Sequence, residues 1–259
     1  MAVAERRRSS TGRTGVILGC VLLCVASTVL LAGSTAGAAG AGPDLGMARL
    51  GDIRITRTQS GQVLLRYSAT VVNVGSDPFE LRGERAATTG DMQVFQRVYD
   101  GAGGYGDVAA PTSMVFGGDG HNHWHVRDLT DTELIRLDNG SKVGTGAKRG
   151  FCFFDNTQYR LGLPGAPQAP VYPGAGCGTS TSLTVTMGLS VGWGDIYSSS
   201  LPDQYVDITG LTAGRYRLKV TADTAGRFVE ANTSNNTTWV DLQIKGQGAP
   251  KILAWGPSA

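Results

Sequence analysis

Histidine is scarce in this chain of 259 residues: there are three, all within five positions, at His121, His123 and His125. Charged residues are also few, at 17%, and aromatics make up 7%. No segment carries a sustained apolar period of 3.6, which argues against a helical architecture. Charge of either sign is lacking in excess. Four arginines and Glu5 fall in the first 38 residues, which leaves the remainder about one negative charge from neutral. Nothing in that balance calls for nucleic acid or an anionic membrane as a partner. Cysteine is limited to four residues, two of them (Cys20 and Cys24) near the N-terminus.

Residues 1–38 read as an export segment. Arg6, Arg7, Arg8 and Arg13 form a basic region, Gly15 to Ala32 is apolar, and Ala36-Gly37-Ala38 is a small-residue cleavage site. The apolar run is also long enough for an uncleaved anchor, and Ile17-Leu18-Gly19-Cys20 loosely resembles a lipid-attachment motif. The expectation is a secreted, extracellular protein, membrane-attached only if that segment is retained. In an oxidising compartment Cys152 and Cys177 read as a disulfide, closing a loop that holds Pro164, Pro167, Pro170 and Pro173. The competing reading has one thiolate joining a metal site.

The three histidines alternate with Asn122 and Trp124, so on a strand their rings share one face. Neutral imidazole is the commonest protein ligand for zinc, copper, iron and nickel. On a flat strand the outer two Cα atoms would stand about 13 Å apart, near the limit for sharing one ion. A bent or bulged segment is therefore expected, with Gly117-Gly118-Asp119-Gly120 supplying the loose backbone; the alternative is that only two of the three bind.

The rest alternates and turns like an all-β protein. Strand candidates are 63–72, 79–82, 92–95, 133–137, 182–187, 205–209, 216–222 and 238–245, with Asp138-Asn139-Gly140 as a hairpin turn. The expectation is a single β-sandwich domain over 43–246 with little helix, long functional loops at 100–120 and 157–180, and a loose C-terminal tail at 247–259. No internal repeat stands out.

Four segments in order then carry a resemblance. They are the H-x-H-x-H run at 121–125; Lys148-Arg149-Gly150-Phe151-Cys152 with Asp155 after it; and Gly188 through Tyr197 followed by Asp203-Gln204-Tyr205-Val206-Asp207-Ile208-Thr209. The last is Gly214-Arg215-Tyr216 through Val220, leading to Glu230-Ala231-Asn232-Thr233-Ser234-Asn235-Asn236. With Pro43-Asp44-Leu45 upstream, residues 43–245 resemble the catalytic domain of lysyl oxidases, copper amine oxidases with a lysine tyrosylquinone cofactor. The triplet of histidines is shared with several metal folds, whereas its combination with Lys148 and Tyr197 is specific.

The resemblance implies copper at His121, His123 and His125, and the cofactor formed from Lys148 and Tyr197. It implies oxidation of primary amines, such as peptidyl lysine or small amines, to aldehydes by molecular oxygen, with release of ammonia and hydrogen peroxide. It further implies calcium held by Asp44, Glu230, Asn232, Asn235, Asn236 and the Leu45 carbonyl, where hard oxygen donors suit that ion; an Asn-rich turn needs none. By themselves, Lys148 reads as a solvated charge and Tyr197 as a half-buried aromatic. Asp195 shares a strand face with Tyr197 and is a candidate base for the substrate α-proton, or else caps a turn.

The departures from the family pattern matter. Trp193 and Asp203 stand where the animal enzymes have cysteines around the tyrosine, and a histidine following the copper motif has no counterpart here. A second metal is expected to support a fold with one disulfide. Two rival readings are a non-catalytic surface-displayed metal-binding or adhesive module, and a copper storage or delivery protein. Neither needs Lys148 joined to Tyr197.

Overall fold

The computed structural model describes residues 41–117, 121–246 and 248–259. The export segment, with Cys20 and Cys24, lies outside the described residues, as do Gly118, Asp119 and Gly120 of the expected hinge. Among the described residues, seventeen strands run as β1 (Leu45–Met47), β2 (Gly51–Arg57), β3 (Val63–Asn73), β4 (Phe79–Glu84), β5 (Met92–Tyr99), β6 (Tyr105–Phe116), β7 (Trp124–Arg127), β8 (Thr130–Arg136) and β9 (Lys142–Thr145). They continue as β10 (Gly150–Phe151), β11 (Thr157–Gln158), β12 (Thr184–Leu189), β13 (Trp193–Tyr197), β14 (Tyr205–Asp207), β15 (Gly214–Ala222), β16 (Thr237–Ile244) and β17 (Lys251–Trp255). One 3₁₀ turn, Gly174–Cys177, is the helical content among the described residues. No helix there is long and apolar enough to cross a membrane.

The fold is all-β and sandwich-like, built from three antiparallel sheets. Its spine is β3, eleven residues and buried nearly throughout. β1 and β13 flank its C-terminal half, and β2 and β14 its N-terminal half, so this largely buried strand is paired on both edges. The second sheet has the order β10-β7-β6-β5-β4-β12, and the third β17-β16-β15-β8-β9. In β15 and β16 burial alternates residue by residue, so one face of each points inward. Leu65, Val71, Leu81, Val94, Leu218 and Val240 meet in one core. Tyr67 ties the spine to the third sheet by donating its hydroxyl to Thr132 Oγ1 at 2.7 Å.

Two expectations are corrected. The 100–120 segment is not a long loop, because β6 fills most of it and pairs with β5 and β7. The first half of β6 is largely exposed and Pro111 follows it, so it shows no apolar alternation to read. Nor is 247–259 a loose tail: β17 adds to the edge of β16, and Ala259 N–H donates to the Met47 carbonyl at 3.1 Å. An open strand edge offers unpaired backbone groups, and a short tail of ordinary composition satisfies them. The 157–180 segment is largely irregular, holding only the two-residue β11 and the 3₁₀ turn.

Candidate active site

The second sheet delivers the histidines. His125 lies on β7 opposite Val115 of β6, while His121 and His123 precede the strand and lie outside the ladder. Trp124 points the other way into the core, donating its indole N–H to the Thr179 carbonyl at 2.8 Å, with the Arg85 guanidinium 4.4 Å from the ring centre. The segment turns back on itself: Gly117 N–H donates to the His123 carbonyl at 3.0 Å, and Gly117 sits at φ +67°, where a side chain would be strained. The turn brings the three ring centroids within 4.5–5.9 Å of one another.

One ring nitrogen from each histidine falls in a set spanning no more than 4.8 Å. His125 Nδ1 lies 3.2 Å from the Gly117 carbonyl, which can only accept, so Nδ1 carries the proton and Nε2 is left as the ligating atom. The backbone of Gly150 packs against this residue, and a Cβ there would lie 2.9 Å from His125 Cβ. Three convergent imidazoles with room for further ligands fit a copper ion. Cys152 and Cys177 are joined in a disulfide, so neither supplies a thiolate to the set.

Lys148 and Tyr197 are brought together from far apart in sequence. Lys148 lies between β9 and β10 and is buried, unlike the solvated lysine its sequence context suggests. Its Nζ is 5.2 Å from the Tyr197 ring centre and 5.3 Å from that of Phe151. The two rings meet edge to face at 5.1 Å. Its Nζ also lies 3.3 Å from Asp203 Oδ2.

Asp195 and Tyr197 share the buried face of β13, with Ile196 between them exposed. Burial pushes the Asp195 carboxyl up to about 7, opposed by hydrogen bonds from Tyr197 and Asn156 and by the Lys148 charge. The Asn156 amide donates to Asp195 Oδ1. Its orientation is fixed because Asn156 Oδ1 accepts from Ile196 N–H and from Thr157 Oγ1, both at 2.9 Å, leaving the NH₂ to face the carboxylate. One pocket of about 190 Å³ is lined by His121, His123, His125, Lys148, Asp195 and Tyr197, with Asn156 and the Cys152 end of the disulfide also in its wall. Asn156 was not marked by sequence, carrying no spacing signal, and Phe151 was quoted within the 148–152 motif without a role of its own; both gain meaning from what they touch.

A second cluster forms where the start of the chain's fold meets the 230–236 turn. Glu230 accepts from Leu45 N–H at 2.8 Å and from Asn236 Nδ2 at 2.9 Å, and Asp44 Oδ1 accepts from Asn235 Nδ2 at 3.0 Å. Asn235 Oδ1 and Asn236 Oδ1 are buried without a hydrogen-bond partner. Burial raises Glu230 to about 8 and also raises Asp44. Asn232 Oδ1 is engaged by Ser234 N–H and Oγ, at 3.0 and 2.7 Å, so its oxygen serves the turn.

The profile of the lysyl oxidase family matches residues 115–252. Protein-lysine 6-oxidase of Gallus gallus is 30% identical over 130 residues, covering 50% of this chain and 28% of that protein. Lysyl oxidase homolog 3A of Danio rerio is 32% identical over 127 residues, 49% of this chain and 15% of the relative. Lysyl oxidase homolog 1 of Homo sapiens is 27% identical over 128 residues, 49% of this chain and 20% of the relative. The chain thus spans less than a third of the length of these curated relatives.

Proposed function

The chain belongs to the lysyl oxidase family, and on that premise we propose that it is an exported copper amine oxidase acting on primary amines, either peptidyl lysine or small amines. The observation that carries this reading is the single pocket in which three imidazoles, the Lys148 amine, the Tyr197 ring and the Asp195 carboxyl all meet. His121, His123 and His125 would hold copper, and Lys148 and Tyr197 would be joined as the lysine tyrosylquinone. Together these groups would supply the oxidising chemistry that turns a primary amine, dioxygen and water into an aldehyde, ammonia and hydrogen peroxide.

The chain's own residues then have defined tasks. Asp195, held near neutrality by burial, is ionised above about pH 7 and can accept the substrate α-proton. That role is open in this chain, since no histidine beyond the three exists to take it. Asn156 fixes the carboxylate by its amide and keeps its other face tied to β13. Phe151 stands beside the amine, its ring centre 5.3 Å from Nζ, and the Cys152 end of the disulfide lines the pocket. The disulfide suits an oxidising compartment and supports export. Residues 43–246 are the proposed catalytic domain.

Calcium at Asp44, Glu230, Asn235 and Asn236 is proposed as a stabilising ion, supported by the two buried amide oxygens that lack partners. The family pattern adds the Leu45 carbonyl and Asn232, whose Oδ1 is here engaged by Ser234. Melting with and without calcium tests it: a rise in Tm that is lost in Glu230→Gln supports the site, and equal melting refutes it.

The decisive experiment is an intact mass, a visible spectrum and a peptide map of copper-loaded protein after aerobic incubation. A quinone band with a Lys148–Tyr197 crosslinked peptide, both absent in Lys148→Arg while copper binding is retained, is the expected result. Copper bound with neither band nor crosslink would leave a metal-binding module or a copper-handling protein as the better reading.

A further inference from the structure

Asp203 is a half-buried charge to which the reading above gives no task. It lies in the connection between β13 and β14, where the family pattern has a cysteine. Its Oδ2 is 3.3 Å from Lys148 Nζ, with the two side chains 19% and 6% exposed. Its Oδ1 is buried and has no hydrogen-bond partner. Buried polar atoms in that state are rare and call for an explanation.

The backbone holds this carboxylate where it is. Gly146 bridges Val206, Ala147 N–H donates to the Tyr205 carbonyl at 2.9 Å, and Tyr205 N–H donates to the Asp203 carbonyl at 2.9 Å. The segments carrying Asp203 and Lys148 are thereby zipped side by side, so the pair is not an accident of two long surface side chains. On its other sides the amine meets the Phe151 and Tyr197 rings, centred 5.3 and 5.2 Å away. Ring faces attract a cation broadly. A carboxylate oxygen fixes it at a point. A disulfide at this position would tether backbone to backbone, whereas Asp203 ends on the amine itself.

We infer that Asp203 is a positioning residue that holds the Lys148 amine within reach of the Tyr197 ring while the cofactor is assembled. The inference rests on the proposed Lys148–Tyr197 cofactor. It adds that the ionic tether replaces, in this chain, a covalent one of the family pattern.

Two readouts on the full chain test it, using Asp203→Ala, Asp203→Asn and Asp203→Glu. In metal-free protein, timed acetylation with acetic anhydride and peptide mapping reads Lys148 Nζ directly, with Lys219 as internal standard. Asp203→Ala is expected to raise Lys148 labelling several-fold, because the amine loses this carboxylate. In copper-loaded protein under air, the crosslinked peptide is expected to form about tenfold more slowly in Asp203→Ala. Copper stoichiometry should stay unchanged, and Asp203→Glu should restore part of the rate. Asp203→Asn, which keeps the shape but not the charge, carries the test if the alanine variant does not fold, and is expected to crosslink several-fold more slowly. Wild-type crosslinking rates in these variants, or unchanged Lys148 labelling, overturn the inference and leave the cofactor proposal standing. A wild-type protein that forms no crosslink overturns the cofactor proposal and this inference with it.

Discussion

Replacing Asp155 by alanine should cost far more stability than an ordinary polar substitution. Its carboxylate is buried and accepts from Ser190 N–H at 2.8 Å, Ser190 Oγ at 2.6 Å, Val171 N–H at 2.8 Å and Tyr172 N–H at 3.1 Å. These bonds staple the irregular 157–180 segment to the turn between β12 and β13. Val171 is 59% exposed, so its amide and the neighbouring one can be rehydrated when the acceptor goes. Ser190 is 3% exposed, so its two donors cannot. Each stranded buried donor costs about 1–3 kcal/mol, which puts Asp155→Ala near ~4 kcal/mol and Asp155→Asn, with one oxygen kept, near ~2 kcal/mol. Urea unfolding with the disulfide intact measures this, the midpoint shifting at constant slope. Amide exchange at Ser190, Val171 and Tyr172 should accelerate in the alanine variant. A loss below about 1 kcal/mol, the value of a single ordinary hydrogen bond, would refute the argument that Asp155 is the staple.

Removing the disulfide by Cys152→Ser with Cys177→Ser opens a loop of 25-residue separation. On loop-closure entropy this lowers stability by about 3.5 kcal/mol in urea unfolding, and a loss under about 1 kcal/mol would contradict it. For Asp195, burial pushes the folded carboxyl up to about 7 from an ordinary 3.8, so the folded state holds the proton more tightly. Its contribution is therefore full below about pH 4 and is lost as pH rises towards 7, on the order of 4 kcal/mol. Asp195→Asn in metal-free protein should flatten that part of the stability–pH curve, and superimposable curves would count against the burial argument. Gly150→Ala would place a Cβ 2.9 Å from His125 Cβ. Chelator competition should find copper bound about tenfold more weakly, and affinity within twofold of wild type would show that His125 can give way.

How far the sequence speaks differs from element to element. The hairpin through Asp138-Asn139-Gly140 was legible because the turn demands positive φ, and Gly140 has φ +73°. β15 and β16 were legible because each buries alternate residues. β6 and β17 were not, since their pairing satisfies backbone groups and leaves little mark on side-chain pattern. In the same way, the bend through 121–125 follows from local chain geometry, and the three rings do converge.

By itself, then, the sequence determined an all-β chain with one histidine cluster, one disulfide pair and the lysyl oxidase family pattern. These are matters of composition, period and order along the chain. Only the tertiary structure decided that Lys148 is buried between two aromatic rings with Asp203 as its charge partner. It alone brought Asn156 onto Asp195, raised that carboxyl, and closed one pocket around the histidines, the amine and the phenol. Those relations join residues 27 to 76 positions apart along the chain, from His121 to Lys148 to Tyr197. Burial and electrostatics act through space, and no local pattern encodes them.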